Sequence, residues 1–189
     1  MKYEPIAADS ITTYITLAII SNQYSSRKKI IIISSALLKN ILIPVANIYA
    51  YCLIKIHFQI LVKTKTYLPD LKIPKAFSNL FNAYAKAINK THNCSGSLFQ
   101  DRFKRKIIKN EEYLKTLIPY IDLNPKNHKI IDNFVNYKHP SYSRIILSEN
   151  SFLSENEVIE LFNDKSNFSY VHSQRQAEIL KLDKNIFLE

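Results

Sequence analysis

Apolar positions recur along this chain with two periods, and the change from one to the other lays out its elements. Residues 11–20, ITTYITLAII, are dense in β-branched side chains and predict a first strand. After a polar break at 22–26, residues 27–41 put Ile30, Ile33, Leu37 and Ile41 on one helical face. The unbroken isoleucines at 30–33 suit a strand equally well, and Pro44 ends the element. Residues 47–54, NIYAYCLI, and 56–63, IHFQILVK, both read as strands; with only Lys55 between them they form a tight hairpin or one bent strand. Alternation gives the second a plain apolar face (Ile54, Ile56, Phe58, Ile60, Val62) and a polar one (Lys55, His57, Gln59, Leu61, Lys63). Either that polar face meets water, or His57 and Gln59, two residues apart on one side, converge on a single ion.

The helical period takes over at residues 74–90. Phe77, Leu80, Phe81, Tyr84 and Ile88 hold the i, i+3, i+4, i+7, i+11 pattern of a core-facing stripe, with Pro74 in the first turn. The only glycine of the chain, Gly96, follows in THNCSGS and marks a tight turn. In LFQDRFKRKIIKN, residues 98–110, Arg102, Lys104, Arg105, Lys106 and Lys109 alternate with Phe99, Phe103, Ile107 and Ile108. Such a mixture suits phosphates and stacked bases, and it equally suits an edge strand guarded by charge.

A second amphipathic helix starts at Asn110, whose side chain can cap the first turn while Glu111 and Glu112 favour the positive end of the dipole. Tyr113, Leu117, Tyr120 and Asn124 then fall on one narrow stripe. A phenol and an amide one turn apart there are either a hydrogen-bonded core pair or a working site. Near the end, Ser154 with Glu157 three residues on reads as a capping box, opening a helix with Val158, Leu161 and Phe162 on its apolar edge.

Charge sharpens this picture. Residues 1–150 carry 22 Lys and Arg against 9 Asp and Glu, and residues 151–189 carry 4 against 7, so the net +10 divides into a body of +13 and a tail of −3. A basic body points to a polyanion such as nucleic acid, with a face of solvated lysines as the plain alternative. The length, 189 residues, suits one domain with an appendage. Cys52 and Cys94 form neither a zinc spacing nor a disulfide framework, the N-terminus has no secretory pattern, and no apolar run is long enough to span a bilayer. The expectation is a soluble, cytoplasmic protein without membrane contact. Of the remaining histidines, His92, His128, His139 and His172 share no spacing that suggests chemistry.

Taken together, SNLFNAYAKAINKTHNCSGSLFQDRFKRKIIKNEEYLKTLIPYIDLNP resembles the core of the REP-associated tyrosine transposases, a branch of the insertion-sequence-200-like single-tyrosine transposases in the HUH nuclease superfamily. The likeness is carried by the G-x-L-F-Q-x-R-F-K and Y-I-x-x-N-P segments in this order, and it extends to YKHPSYS, residues 137–143. It implies an α+β, ferredoxin-like domain over residues 1–145, with a central antiparallel sheet flanked by helices, and an acidic helical extension over 146–189 packed on it. It further implies Tyr120 as nucleophile and His57, Gln59 and Asn124 as ligands of Mg²⁺ or Mn²⁺. Single-stranded or hairpin DNA would be held by Lys55, Lys63, Lys65, Phe99, Gln100, Arg102, Phe103, Lys104, Arg105 and Lys106, in a monomer or homodimer.

The implied activity is metal-dependent cleavage and transfer of a DNA strand through a 5′-phosphotyrosine link. Gln59 stands where the family has a second histidine, and its amide oxygen is a sound ligand for a hard cation. The family's Met-Pro-Asn before the first histidine is replaced by Leu53-Ile54-Lys55-Ile56, and Pro119 directly precedes Tyr120. A domesticated relative that binds hairpin DNA without cutting it, and a basic RNA-binding module, are the alternatives.

Overall fold

The strand that alternation divides into two faces lies inside the sheet. The computed structural model describes residues 11–16 (backbone), 35–54, 58–66, 68–69, 71–93, 95–99, 104–128, 130–131, 133–137, 141–148 and 152–181. Four strands, β1 (Ile11–Thr16), β2 (Ala46–Leu53), β3 (Phe58–Thr64) and β4 (Lys104–Ile108), form one sheet in the order β2-β3-β1-β4, with every neighbouring pair antiparallel. β2 and β3 are two separate paired strands, as the hairpin alternative requires, with a register shift between Ile48 and Ala50. The mixture of helices with an antiparallel sheet bears out the α+β expectation.

Both faces of β3 are covered. Phe58 meets α1 (Lys72–His92) through Phe81, at a ring-centroid distance of 6.1 Å, and through Tyr84. The predicted stripe of α1 is its core face: Phe77, Leu80, Tyr84 and Ile88 are buried, Phe81 is half-buried, and Ile73 joins them. Burying each such side chain contributes about 1.5–3 kcal/mol, enough to hold the helix to the sheet. The helix ends on Asn93, whose left-handed φ of 52° closes its last turn, and Gly96 follows with φ 98°. The Gly96 carbonyl accepts a hydrogen bond from Asn89 Nδ2 at 2.9 Å, so the turn is pinned back to the helix.

The opposite face carries α2 (Glu111–Asp122). Asn110 caps it as its sequence demands, with Oδ1 accepting from the amides of Glu112 (2.7 Å) and Tyr113 (3.3 Å). Ile118 and Ile121 of α2 are fully buried. The helix runs through Pro119 and is interrupted four residues later at Leu123, whose amide donates to the Pro119 carbonyl at 2.9 Å. A short α3 (Asn124–Asn127) continues the turn with Pro125 near its start.

A 3-10 turn, Phe134–Asn136, and three further helices complete the described chain: α4 (Ser141–Ile146), α5 (Glu155–Leu161) and α6 (Lys165–Lys181). The Ser154 side chain makes no capping bond, which corrects the capping-box reading. Instead the Ser154 amide donates to the Ile48 carbonyl at 2.9 Å, and the Glu157 carboxylate accepts from Asn47 Nδ2 and Tyr49 Oη, each at 2.7 Å. Partners on β2 outbid the local motif. The expected element at 27–41 is described from residue 35 on, where it is helical and ends in a π-helical turn, Leu38–Leu42; residues 17–34 lie outside the described part. Among the described residues no helix is long and apolar enough to cross a membrane.

Candidate active site on the Tyr120 helix

Gln59 settles which way the polar face of β3 looks. It is only 3% exposed, so the water-facing alternative fails. Its Oε1 accepts a hydrogen bond from Nδ2 of Asn124, itself 1% exposed, across the gap between β3 and the start of α3. Two of the residues singled out from sequence, 65 positions apart, thus meet side chain to side chain. His57 and Lys55 lie outside the described residues, as do Gln100, Arg102 and Phe103.

Tyr120 sits one helical turn before Asn124, half-buried at the edge of the core. Burial raises the pKa of its phenol above the usual value, and the neighbouring Tyr113 adds to the rise. Tyr113, 41% exposed on the same stripe, lies under the ammonium of Lys106, 4.6 Å from the ring centroid and 3.4 Å from the hydroxyl oxygen. The edge strand β4 therefore leans a cation over the outer end of the phenol stripe.

Sheet register extends this relation. Gln59 pairs with Ile15 and Ile15 with Lys104; Leu61 pairs with Thr13 and Thr13 with Lys106. Residues directly opposite in antiparallel strands point to the same side, so Lys104 and Lys106, both exposed, share the sheet face of Gln59, two strand spacings or about 10 Å away. Arg105 alternates to the face that carries α1. Lys63 also shares the Gln59 face but lies four residues along β3, about 13 Å distant. It lines a separate cleft with Lys109, Asn110, Glu157 and Glu160, and Lys65 follows beyond it. Phe99 is half-buried, stacked on Tyr84 at 6.0 Å and edge-on to Phe81 at 5.8 Å.

The residues fit a hard cation in their donor chemistry, since Gln59 and Asn124 each carry an amide oxygen and meet at one buried point. As placed, however, Asn124 presents its NH₂ to Gln59. To share an ion, the Asn124 amide would have to turn over and give up that bond. Among the described residues no group of three or more His, Cys, Asp or Glu side chains could hold a metal.

The sequence reading missed a second polar cluster on the reverse side of the same helix. Asp122, with no exposed surface, accepts at Oδ1 from Ser141 Oγ (2.6 Å) and the Tyr142 amide (3.2 Å), while Oδ2 lies 3.0 Å from His172 Nε2. His172 Nδ1 is 2.8 Å from the Phe168 carbonyl, and Ser141 Oγ accepts from the Tyr51 amide at 2.8 Å. The imidazole is enclosed by Phe134, Tyr142, Phe162 and Phe168. Ser, His and Asp are all present, but the hydroxyl donates to the carboxylate and does not touch the imidazole, so nothing here activates a nucleophile. One signal was available: a lone carboxylate in the otherwise apolar IPYIDL, with YKHPSYS downstream.

No protein-family model and no curated protein matches the sequence. The structure is similar to a solved REP-associated tyrosine transposase bound to a REP hairpin, with a TM-score of 0.56 and 16% identity over 78% of this chain and 86% of that one. The chain thus shares the fold of a protein solved with a REP hairpin bound, and the family resemblance read from its sequence is borne out at the level of fold.

Proposed function

We propose that the chain is a DNA-cleaving enzyme of the REP-associated tyrosine transposase type, acting in the cytoplasm on single-stranded DNA beside a hairpin. The observation that carries this reading is the Gln59–Asn124 contact one turn from Tyr120, on a sheet face that also presents Lys104 and Lys106. The strand order β2-β3-β1-β4 supports a ferredoxin-like description of the domain.

In the proposed reaction the Tyr120 oxygen attacks a backbone phosphorus. A phosphotyrosine bond forms, the bond from phosphorus to the 3′ oxygen breaks, the phenol loses its proton and the 3′ oxygen leaves as a hydroxyl. A second 3′-hydroxyl reverses the step and transfers the strand. A divalent cation held by His57, Gln59 and Asn124 would supply Lewis-acid polarisation of the phosphate when bound. Lys104 and Lys106 counter phosphate charge along the strand, and Tyr113 keeps Lys106 close to the nucleophile's stripe. Burial favours the protonated phenol of Tyr120, so attack requires that proton to be drawn off at the phosphate.

The closed amide pair also favours a second reading, a relative that binds hairpin DNA without cutting it. Incubating the protein with hairpin-flanked single-stranded oligonucleotides and Mn²⁺ or Mg²⁺ separates the two. A covalent adduct that Tyr120→Phe abolishes supports cleavage, and tight binding without adduct supports the second reading. Preference for structured RNA over DNA would refute both.

A further inference from the structure

Two prolines, Pro119 and Pro125, flank the Tyr120–Asn124 segment, and Pro119 has no N–H to give the preceding turn. The helix is interrupted at Leu123, although the Leu123 amide still donates to the Pro119 carbonyl at 2.9 Å. Side chains add to what the backbone holds. Ile121 does so toward the sheet and Asp122 toward the helices, with both carboxylate oxygens engaged and no exposed surface.

From these contacts we infer that His172 is a positioning residue: helix α6, from the acidic extension, fixes the helical turn that separates the nucleophile from its amide partner by gripping Asp122. The inference rests on the proposed cleavage reading. Asp122 stands two residues from both Tyr120 and Asn124 and points away from them, so its hold fixes the rotation of the segment without entering the site. Both nitrogens of His172 face acceptors, the Phe168 carbonyl and the Asp122 carboxyl. The extension is thereby part of the framework of the site. The carboxylates of the extension take no part in this grip, which a single ring makes from inside an aromatic box.

Two substitutions isolate the Asp122 contact, because both lose the ring and its stacking. In His172→Gln the side-chain amide nitrogen falls near the position of Nε2 and still donates to Asp122. In His172→Asn it falls near Nδ1 and reaches only the Phe168 carbonyl. The full chain is assayed for adduct formation with Mn²⁺ on a hairpin-flanked oligonucleotide, for affinity toward the same DNA in EDTA, and for amide hydrogen exchange.

The expected result is a His172→Gln rate within about 5-fold of the parent and a His172→Asn rate down about 100-fold, as misplacement of a reacting group by an ångström brings. DNA affinity stays the same in all three proteins, and in His172→Asn exchange quickens at residues 121–124 while β2 and β3 stay protected. Equal rates and equal exchange in the two variants overturn the inference, as does exchange that quickens throughout the fold. If the parent protein forms no adduct, the cleavage reading fails by itself, and the exchange pattern of the two variants still decides whether His172 positions the turn.

Discussion

The buried Asp122 carboxylate allows a test in which charge and hydrogen-bond count come apart. In Asp122→Ala the Tyr142 amide and His172 Nε2 lose their partner, whereas Ser141 Oγ keeps its contact with the Tyr51 amide. Each buried group left unpaired costs about 1–3 kcal/mol, which puts the loss for the two groups at about 4 kcal/mol. At roughly 2 cal/mol/K of unfolding entropy per residue, a chain of 189 residues then melts about 10 °C lower.

Asp122→Asn should behave quite differently. Its Oδ1 can still accept from Ser141 and Tyr142, and its Nδ2 can donate to an unprotonated Nε2 while Nδ1–H remains on the Phe168 carbonyl. Every bond survives with a neutral imidazole, so the expected loss is about 1 kcal/mol, or 2–3 °C. Urea unfolding of the three proteins at pH 7, followed by circular dichroism, reads the difference. A loss in Asp122→Asn as large as in Asp122→Ala would show that the cluster is held by an ion pair, and the hydrogen-bond reasoning would fall.

Two more outcomes follow from single residues. Burial pushes the Tyr51 phenol up to about 12, while an unfolded chain releases that proton near 10. The contribution is therefore complete below pH 10 and is lost as pH rises to 12, by about 3 kcal/mol, so Tyr51→Phe should flatten that limb of a stability profile measured by urea titration at alkaline pH. Its buried hydroxyl makes no hydrogen bond of ordinary geometry, so the same substitution should cost little at pH 7. Asn110→Ala removes the cap of α2 and should cost about 1 kcal/mol by the same titration at pH 7.

What the sequence disclosed was local. Alternation divided β3 correctly because neighbouring side chains in a strand must point to opposite sides, and Asn110 announced α2 because the cap and the amides it satisfies are adjacent in the chain. What it concealed was the choice among distant partners. Glu157 looked like half of a capping box until β2 offered it Asn47 and Tyr49, more than 100 positions away. His172 carried no motif, because its role depends on a carboxylate 50 residues earlier and on an aromatic enclosure gathered from α4, α6, the end of α5 and a 3-10 turn. The Gln59–Asn124 contact was legible only through the family resemblance, since periodicity left open both water and a core pair.

The same distinction explains where the acidic charge of the extension goes. Glu157 and Glu160 of α5 line the cleft that holds Lys63 and Lys109, at the end of the sheet where α2 begins. Gln59, Lys104 and Tyr120 belong to the other end, about 13 Å along the strand. At 0.1 M salt exposed charges are screened over about 10 Å, so those carboxylates offset the nearby lysines and reach Lys104 only weakly, while Lys106, opposite Leu61, stands between the two ends. A net charge of +10 spread over the chain thus understates how basic one end of one sheet face is. The balance of the tail is set mainly against Lys63 and Lys109, at the end of the face away from Lys104.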